Sequence, residues 1–457
     1  MKKSCFFILC CILVALAPKT ASAFIAYAIN PDTNNVTIID VDTNTVIATV
    51  AAGSNPFFAS VTPDGSKVYV VNLGGNTVSV FNTLTNMVIA TIPVGSTPTT
   101  MAIVPNGTKA YVVNTADNTV SVINTAAGIV TSTIPVGMIP EAILISRDGT
   151  KVYVANTTDN TISVINTASD ILTNTIHAGM APSAMAITPD GSKVYVVNSS
   201  GNSVSVINTA AEMVIASITV GTNPEQIAIT ADGTRAIVTN AGSNTASIIN
   251  TVSDTLITTI NTGSSPNNLI ITPDNSKVYV VNADNTVSVI SIPLDTLIRT
   301  INIGVGASPI SITPDGAKIY VGFSGIDVID PATDTVVDTI SNNPAISPEY
   351  ILIFVPVDIP PPTNLRGEQE RNKFLTQSEL INVLTWGPPP GAVPAVSYRI
   401  FRNAALTDLA GVVAASGSLQ FNDRNRKKGI AYTYYVISID AVGNQSVPAI
   451  VTVRPKN

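Results

Sequence analysis

Short apolar runs, each followed by a cluster of polar and turn-forming residues, fill most of the chain. Residues 182–218 show the unit. Pro182 to Ile187 is the first run, and Pro189-Asp190-Gly191 turns the chain. Val194 to Val197 is the second run and ends at Asn198. Ser203 to Ile207 is the third and Val214 to Ile218 the fourth, followed by Gly221 and Pro224. Runs this short, with a turn signal about every ten residues, predict strands rather than helices. In the Pro-Asp-Gly triplets, Pro presets φ and Gly accepts φ > 0, which suits a tight hairpin.

The unit recurs. Tyr27-Ala28-Ile29-Asn30 returns as Tyr69-Val70-Val71-Asn72 and then at Tyr111, Tyr153, Tyr195, Ile237 and Tyr279, every 42 residues. A degenerate eighth copy starts at Tyr320, after 41. Four antiparallel strands in about 42 residues make one blade of a β-propeller. The first unit begins at its second strand, and Pro348–Phe354 aligns with a first strand that nothing of the repeat follows. The count predicts an all-β, eight-bladed β-propeller over residues 24–355, closed by the strand at 349–355. A seven-bladed ring with a frayed end is the alternative.

Two segments flank the repeat. Lys2 and Lys3, the apolar stretch Cys5 to Ala17 and Ala21-Ser22-Ala23 read as a signal peptide over 1–23, so the protein is expected to be exported: periplasmic, extracellular or at the cell surface. All three cysteines lie in that segment, which leaves no disulfide for the remainder. After residue 17 no apolar run approaches the roughly 18 residues of a membrane helix, and no membrane span is expected. At the other end, residues 356–362 form a Pro-rich linker. Residues 363–457 hold the only Trp and longer alternating runs, such as Tyr432 to Asp440.

The string Tyr-Val-Val-Asn, then Asn-Thr-Val-Ser-Val-Ile-Asn-Thr, Thr-Ile-x-Val-Gly and Pro-Asp-Gly resembles the YVTN β-propeller repeat family. Residues 363–457 resemble a fibronectin type III β-sandwich. That resemblance assigns Trp386 to the core of the second strand and Tyr432 to the tyrosine corner. Arg426 stands where the corner's usual Leu would be.

Charge narrows the function. The net charge is −7 and charged residues are only 12%. Residues 24–355 carry nine Lys and Arg against 23 Asp and Glu, a net of −14. Residues 356–457 carry 11 against seven, a net of +4. Such an acidic propeller gives no footprint for nucleic acid.

Few residues suggest chemistry. His177 is the single His and sits at a loop edge, so zinc or haem ligation by His and Cys is excluded, and no catalytic residue is assigned. One position breaks the repeat: the residue after the first-strand Pro, or after Ala307 in the eighth unit, is Phe57, Thr99, Glu141, Ser183, Glu225, Asn267, Ser308 and Glu349 in turn. Glu141, Glu225 and Glu349 with Asn267 offer oxygen ligands of the kind that suit Ca²⁺; the other reading is a solvated rim. No further cofactor is expected. Two functions remain open. One is a monomeric binding protein that presents a protein or glycan ligand with the top face, where the Val-Gly-x-x-Pro and Asn-x-x-x-Asn loops lie. The other is a lactonase-type enzyme using the ring carboxylates and a metal.

Overall fold

The computed structural model describes residues 24–341, 346–356 and most of 362–455, leaving out 375–376, 389–394, 396, 403–407, 425–426, 428–429, 440–445 and 447. The expected signal segment and most of the linker lie outside the described residues. All described elements are strands, and none of these residues form a helix long and apolar enough to cross a membrane. The chain divides into two compact units, Met1–Pro356 and Val357–Asn457.

The first unit is a β-propeller of eight four-stranded antiparallel sheets. Blade 5 is representative: Pro182–Ile187, Lys193–Asn198, Ser203–Asn208 and Met213–Thr219 pair in chain order. Blades 2, 3, 4, 6, 7 and 8 follow the same order over 56–93, 98–135, 140–177, 224–261, 266–302 and 310–340. Blade 1 is built from both ends of the unit. Ile25–Asn30, Asn35–Asp40 and Thr45–Ala51 take their innermost strand from Tyr350–Phe354, with Ile25 opposite Phe354 and Ile29 opposite Tyr350. The closing strand packs on both neighbours. Tyr350 stacks on Phe58 of blade 2 at 4.6 Å, and Ile351 joins a buried cluster with Tyr320, Ile326 and Val328 of blade 8.

Burial follows from the stacking of blades. The second strand of each blade is covered on both faces, and Tyr27, Tyr69, Tyr111, Tyr153, Tyr195, Tyr279 and Tyr320 are fully buried. The outermost strand is an edge, so its residues alternate between exposed and partly covered, as in Met213–Thr219.

Polar contacts tie each blade to the next. Lys109 Nζ donates to Asp170 Oδ2 at 2.7 Å, and the Tyr111 hydroxyl donates to Oδ1 of the same carboxylate at 2.6 Å. Lys193 and Tyr195 share Asp254, and Lys277 and Tyr279 share Asp334, in the same way. Burial and the adjacent carboxylate push these three hydroxyls far above the usual tyrosine range, so each keeps its proton and donates. Arg235 pairs with Asp295, where Ile237 replaces the Tyr. Lys318 and Tyr320 reach Asn44, which joins blade 8 to blade 1. Each acceptor sits at the left-handed position of a turn between the third and fourth strands.

The second unit is sandwich-like, with a three-stranded sheet and a four-stranded sheet. The first orders Thr363–Phe374, Gln377–Gly387 and Gln420–Asp423. The second orders Leu409–Ala414, Ser397–Phe401, Tyr432–Ile439 and Ala449–Val453. Trp386 packs edge-on to Tyr398 at 5.3 Å in a cluster with Leu384, Ile400, Tyr434 and Val436.

Candidate functional site

First strands run from the top face down to the Pro-Asp-Gly turns, and second strands run back up to the recurring Asn. The top face therefore consists of two loop sets. One joins the second and third strands of a blade, and the other joins the fourth strand to the next blade. Hydrogen bonds lace the two sets together. Asn76, Asn118, Asn160, Asn202, Asn244 and Asn285 all have φ between 50° and 64°, a conformation Asn tolerates. Their side-chain oxygens accept the N–H of the residue 21 positions later: Thr97, Ile139, Ala181, Asn223, Ser265 and Gly306, at 2.7–2.9 Å. The second-strand Asn adds another clamp. Asn72 Oδ1 accepts Gly53 N–H at 3.1 Å while its Nδ2 donates to Thr77 and Ser79. Gly53 packs so closely that a Cβ there would lie 2.5 Å from the Asn72 amide. That contact, rather than backbone freedom, explains the recurring Val-Gly.

The position after the first-strand Pro lies just inside these loops. In blades 2 to 7 it is skipped by the ladder: Pro56 and Phe58, Pro140 and Ala142, and Pro224 and Ile227 pair with a shift between them. The residue is a β-bulge, which releases its side chain from the alternation of the strand. Phe57, Thr99, Glu141, Glu225, Asn267, Ser308 and Glu349 are partly buried and Ser183 is fully buried. Period-two reasoning does not show a bulge, although the loss of the repeat at this one position marked the place.

Two of the ring carboxylates are perturbed. Burial pushes Glu225 up to about 7, opposed by a 3.3 Å hydrogen bond from Asn223 Nδ2. Burial also raises Glu141, opposed by the Thr157 hydroxyl, which donates to Oε2 at 3.1 Å. Glu349 donates its backbone N–H to Ile29 O at 2.9 Å. Asn267 Oδ1 accepts the N–H of Asn268 at 2.6 Å. The four residues proposed as oxygen ligands, Glu141, Glu225, Asn267 and Glu349, belong to blades 4, 6, 7 and 1. Among the described residues, no three His, Cys, Asp or Glu side chains gather as a metal site would require. His177 ends the outermost strand of blade 4, exposed, opposite Thr161.

Comparison with known proteins establishes the propeller. A family described as "Lactonase, 7-bladed beta-propeller" matches residues 33–214, and one described as "YNCE-like beta-propeller" matches 177–292. This chain forms a propeller of eight blades, one more than the first description states. No curated protein matches. Among solved structures, dihydro-heme d1 dehydrogenase NirN in complex with DHE is similar with a TM-score of 0.64 and 14% identity, covering 74% of this chain and 76% of that one. A Kuenenia stuttgartiensis hydrazine synthase chain gives 0.53 and 23%, covering 62% and 98%. A functionally unknown protein from Desulfotomaculum acetoxidans DSM 771 gives 0.54 and 19%, covering 73% and 99%. At these identities the likeness is one of fold.

Proposed function

We propose that the protein is an exported binding protein whose propeller presents a protein or glycan ligand with its top face. The observation that carries this reading is the contrast on that face. The backbone of the top loops is held in one arrangement around the ring, while the side chains on it vary from blade to blade. A rigid scaffold with variable loop residues is the usual arrangement of a recognition surface. Export rests on the pattern of residues 1–23, and its localisation is periplasmic, extracellular or at the cell surface. Residues 363–457 act as a fibronectin type III-like spacer or second contact. The order of the three- and four-stranded sheets supports this, as does Tyr432, whose hydroxyl accepts Lys427 N–H at 3.1 Å.

The test uses the absence of Cys after residue 11. Ser264→Cys places a single thiol on a top loop and Ala317→Cys places one on a bottom turn. Each is coupled to a bulky polyethylene glycol, and binding to arrayed peptides and glycans is measured. Loss on top labelling alone supports the reading, and loss on neither overturns it.

A lactonase-type enzyme is the second reading, supported by the family match over 33–214 and by Glu225 titrating near neutrality. Glu→Gln substitution at 141, 225 and 349, with calcium titration by calorimetry, separates the two. A heat of binding lost in a variant favours the enzyme. No heat in either protein leaves the binding platform.

A further inference from the structure

Exposed apolar side chains of the top face cluster on the neighbouring loops of blades 4 and 5, while Val305, in the loop entering blade 8, stands apart from them at 78% exposed. Met138 and Ile139, in the loop entering blade 4, are 51% and 42% exposed, and Met180, in the loop entering blade 5, is 61% exposed. The loop at 157–160 bridges them. Asp159 Oδ2 accepts Met138 N–H at 2.7 Å, Thr157 N–H donates to Ile139 O at 3.0 Å, and Asn160 Oδ1 accepts Ala181 N–H at 2.7 Å. Ile139 also carries strain. Its φ is 51°, in the left-handed region that β-branched residues avoid. The equivalent positions entering blades 2, 3, 5, 6 and 7 hold Asn55, Thr97, Ala181, Asn223 and Ser265, all smaller or more polar than Ile and all with positive φ. An exposed, strained Ile where Asn would serve the fold better points to a role outside it.

Charge defines the complement. The Lys and Arg of the propeller start second strands, lie in bottom turns or, for Arg299, sit on an outermost strand, and none occurs in the described top loops. Asp159 lies within the patch, Asp117 lies one loop away, and Glu141 follows Ile139 and Pro140.

We infer that the top of blades 4 and 5 docks a protein segment presenting an apolar side chain flanked by basic ones. This rests on the binding-platform reading and narrows it from any ligand to a basic, amphipathic polypeptide. Methionines adapt to irregular apolar surfaces, and a negative surround steers and holds cations.

The experiment measures fluorescence anisotropy of the full chain with three short labelled peptides, built from Lys and Leu, from Lys and Gly, or from Leu and Ser. The Lys–Leu peptide is expected to bind about tenfold tighter than either control. Met138→Ser, Met180→Ser and Asp159→Asn are each expected to weaken it by about tenfold at unchanged circular dichroism. Ile139→Asn weakens binding while raising Tm. Asp284→Asn, on the top of blade 7, leaves binding intact. If binding is lost on Asp284→Asn and not on the blade 4 and 5 substitutions, the platform survives and this docking place does not. If the Lys–Gly peptide binds as tightly as the Lys–Leu peptide, the apolar part of the inference is overturned. If no peptide binds, the inference fails, and the glycan arm of the labelling experiment decides the broader reading on its own.

Discussion

At the scale of single residues, small changes of length decide whether a polar contact closes. Asp170 and Asp254 each serve a Lys and a Tyr hydroxyl. Glu212, one methylene longer, pairs with Lys151 at 2.7 Å and reaches Asn174 instead, and the buried Tyr153 hydroxyl has no partner. Glu212→Asp should bring the carboxylate to the place it holds in the neighbouring blades and restore the tyrosine bond. It also relaxes a left-handed residue with φ 51°. We expect a gain of about 1 kcal/mol, read from urea unfolding midpoints. Ile139→Asn should gain about 1 kcal/mol for the same conformational reason, measured in the same way.

Glu225 gives a pH signature. Its pKa rises from 4.5 unfolded to about 7 folded, so the native state binds more protons between those values. Stability from this group is fully present below pH 4.5 and is lost as pH rises through about 7. The loss is on the order of 1–2 kcal/mol once solvent screening is allowed for. Glu225→Gln should flatten that part of the profile. Tm measured from pH 5 to pH 8 should fall more steeply in the natural protein than in the variant, and parallel profiles would sink the assignment.

At the scale of the element, the blade is held by a few close approaches at its top. A Cβ on Gly137 would lie 2.6 Å from the Asn156 Cγ and 2.7 Å from its Nδ2. Gly137→Ala should therefore displace a fully buried Asn whose amide donates to Thr161 and Ser163. We expect a loss of about 1–3 kcal/mol, typical of overpacking, seen as a lower denaturation midpoint with the fold intact by circular dichroism. The inter-blade ion pairs matter less individually. They are about 12–28% exposed, and such pairs contribute about 1 kcal/mol or less each.

At the scale of the whole molecule, ring closure is the weak point. Tyr350–Phe354 covers the inner edge of Ile25–Asn30 and packs Phe354 against Tyr27 at 5.2 Å. Burying Ile351 and Phe354 contributes about 1.5–3 kcal/mol each, and the strand also pairs an edge that would otherwise be open to aggregation. A fragment spanning 24–360 should melt within a few degrees of a chain spanning 24–457. A fragment spanning 24–345 should be far less stable or insoluble. Calorimetry and sedimentation of the two fragments check this, and equal behaviour would mean that the closing strand is dispensable.

Strands, turns and the number of blades were legible in the sequence because they repeat. A period of 42 with four apolar runs per unit admits few architectures, and the leftover first strand at the end of the repeat implies a missing one at its start. The odd position after the first-strand Pro was legible as odd, since Glu141 and Glu225 stand out against a fixed frame. What that position does was not legible. A bulge depends on how two strands pair, and the raised pKa values of Glu141 and Glu225 depend on what surrounds them. Whether Glu141, Glu225 and Glu349 gather is likewise tertiary, because sequence order says which blade each occupies but not whether their side chains meet. Met138, Ile139 and Met180 read along the chain as ordinary apolar residues. Only the folded loops, laced by Asp159 and Asn160, place them together on a face without cations, because side chains brought together by neighbouring loops share a surface that no local pattern encodes.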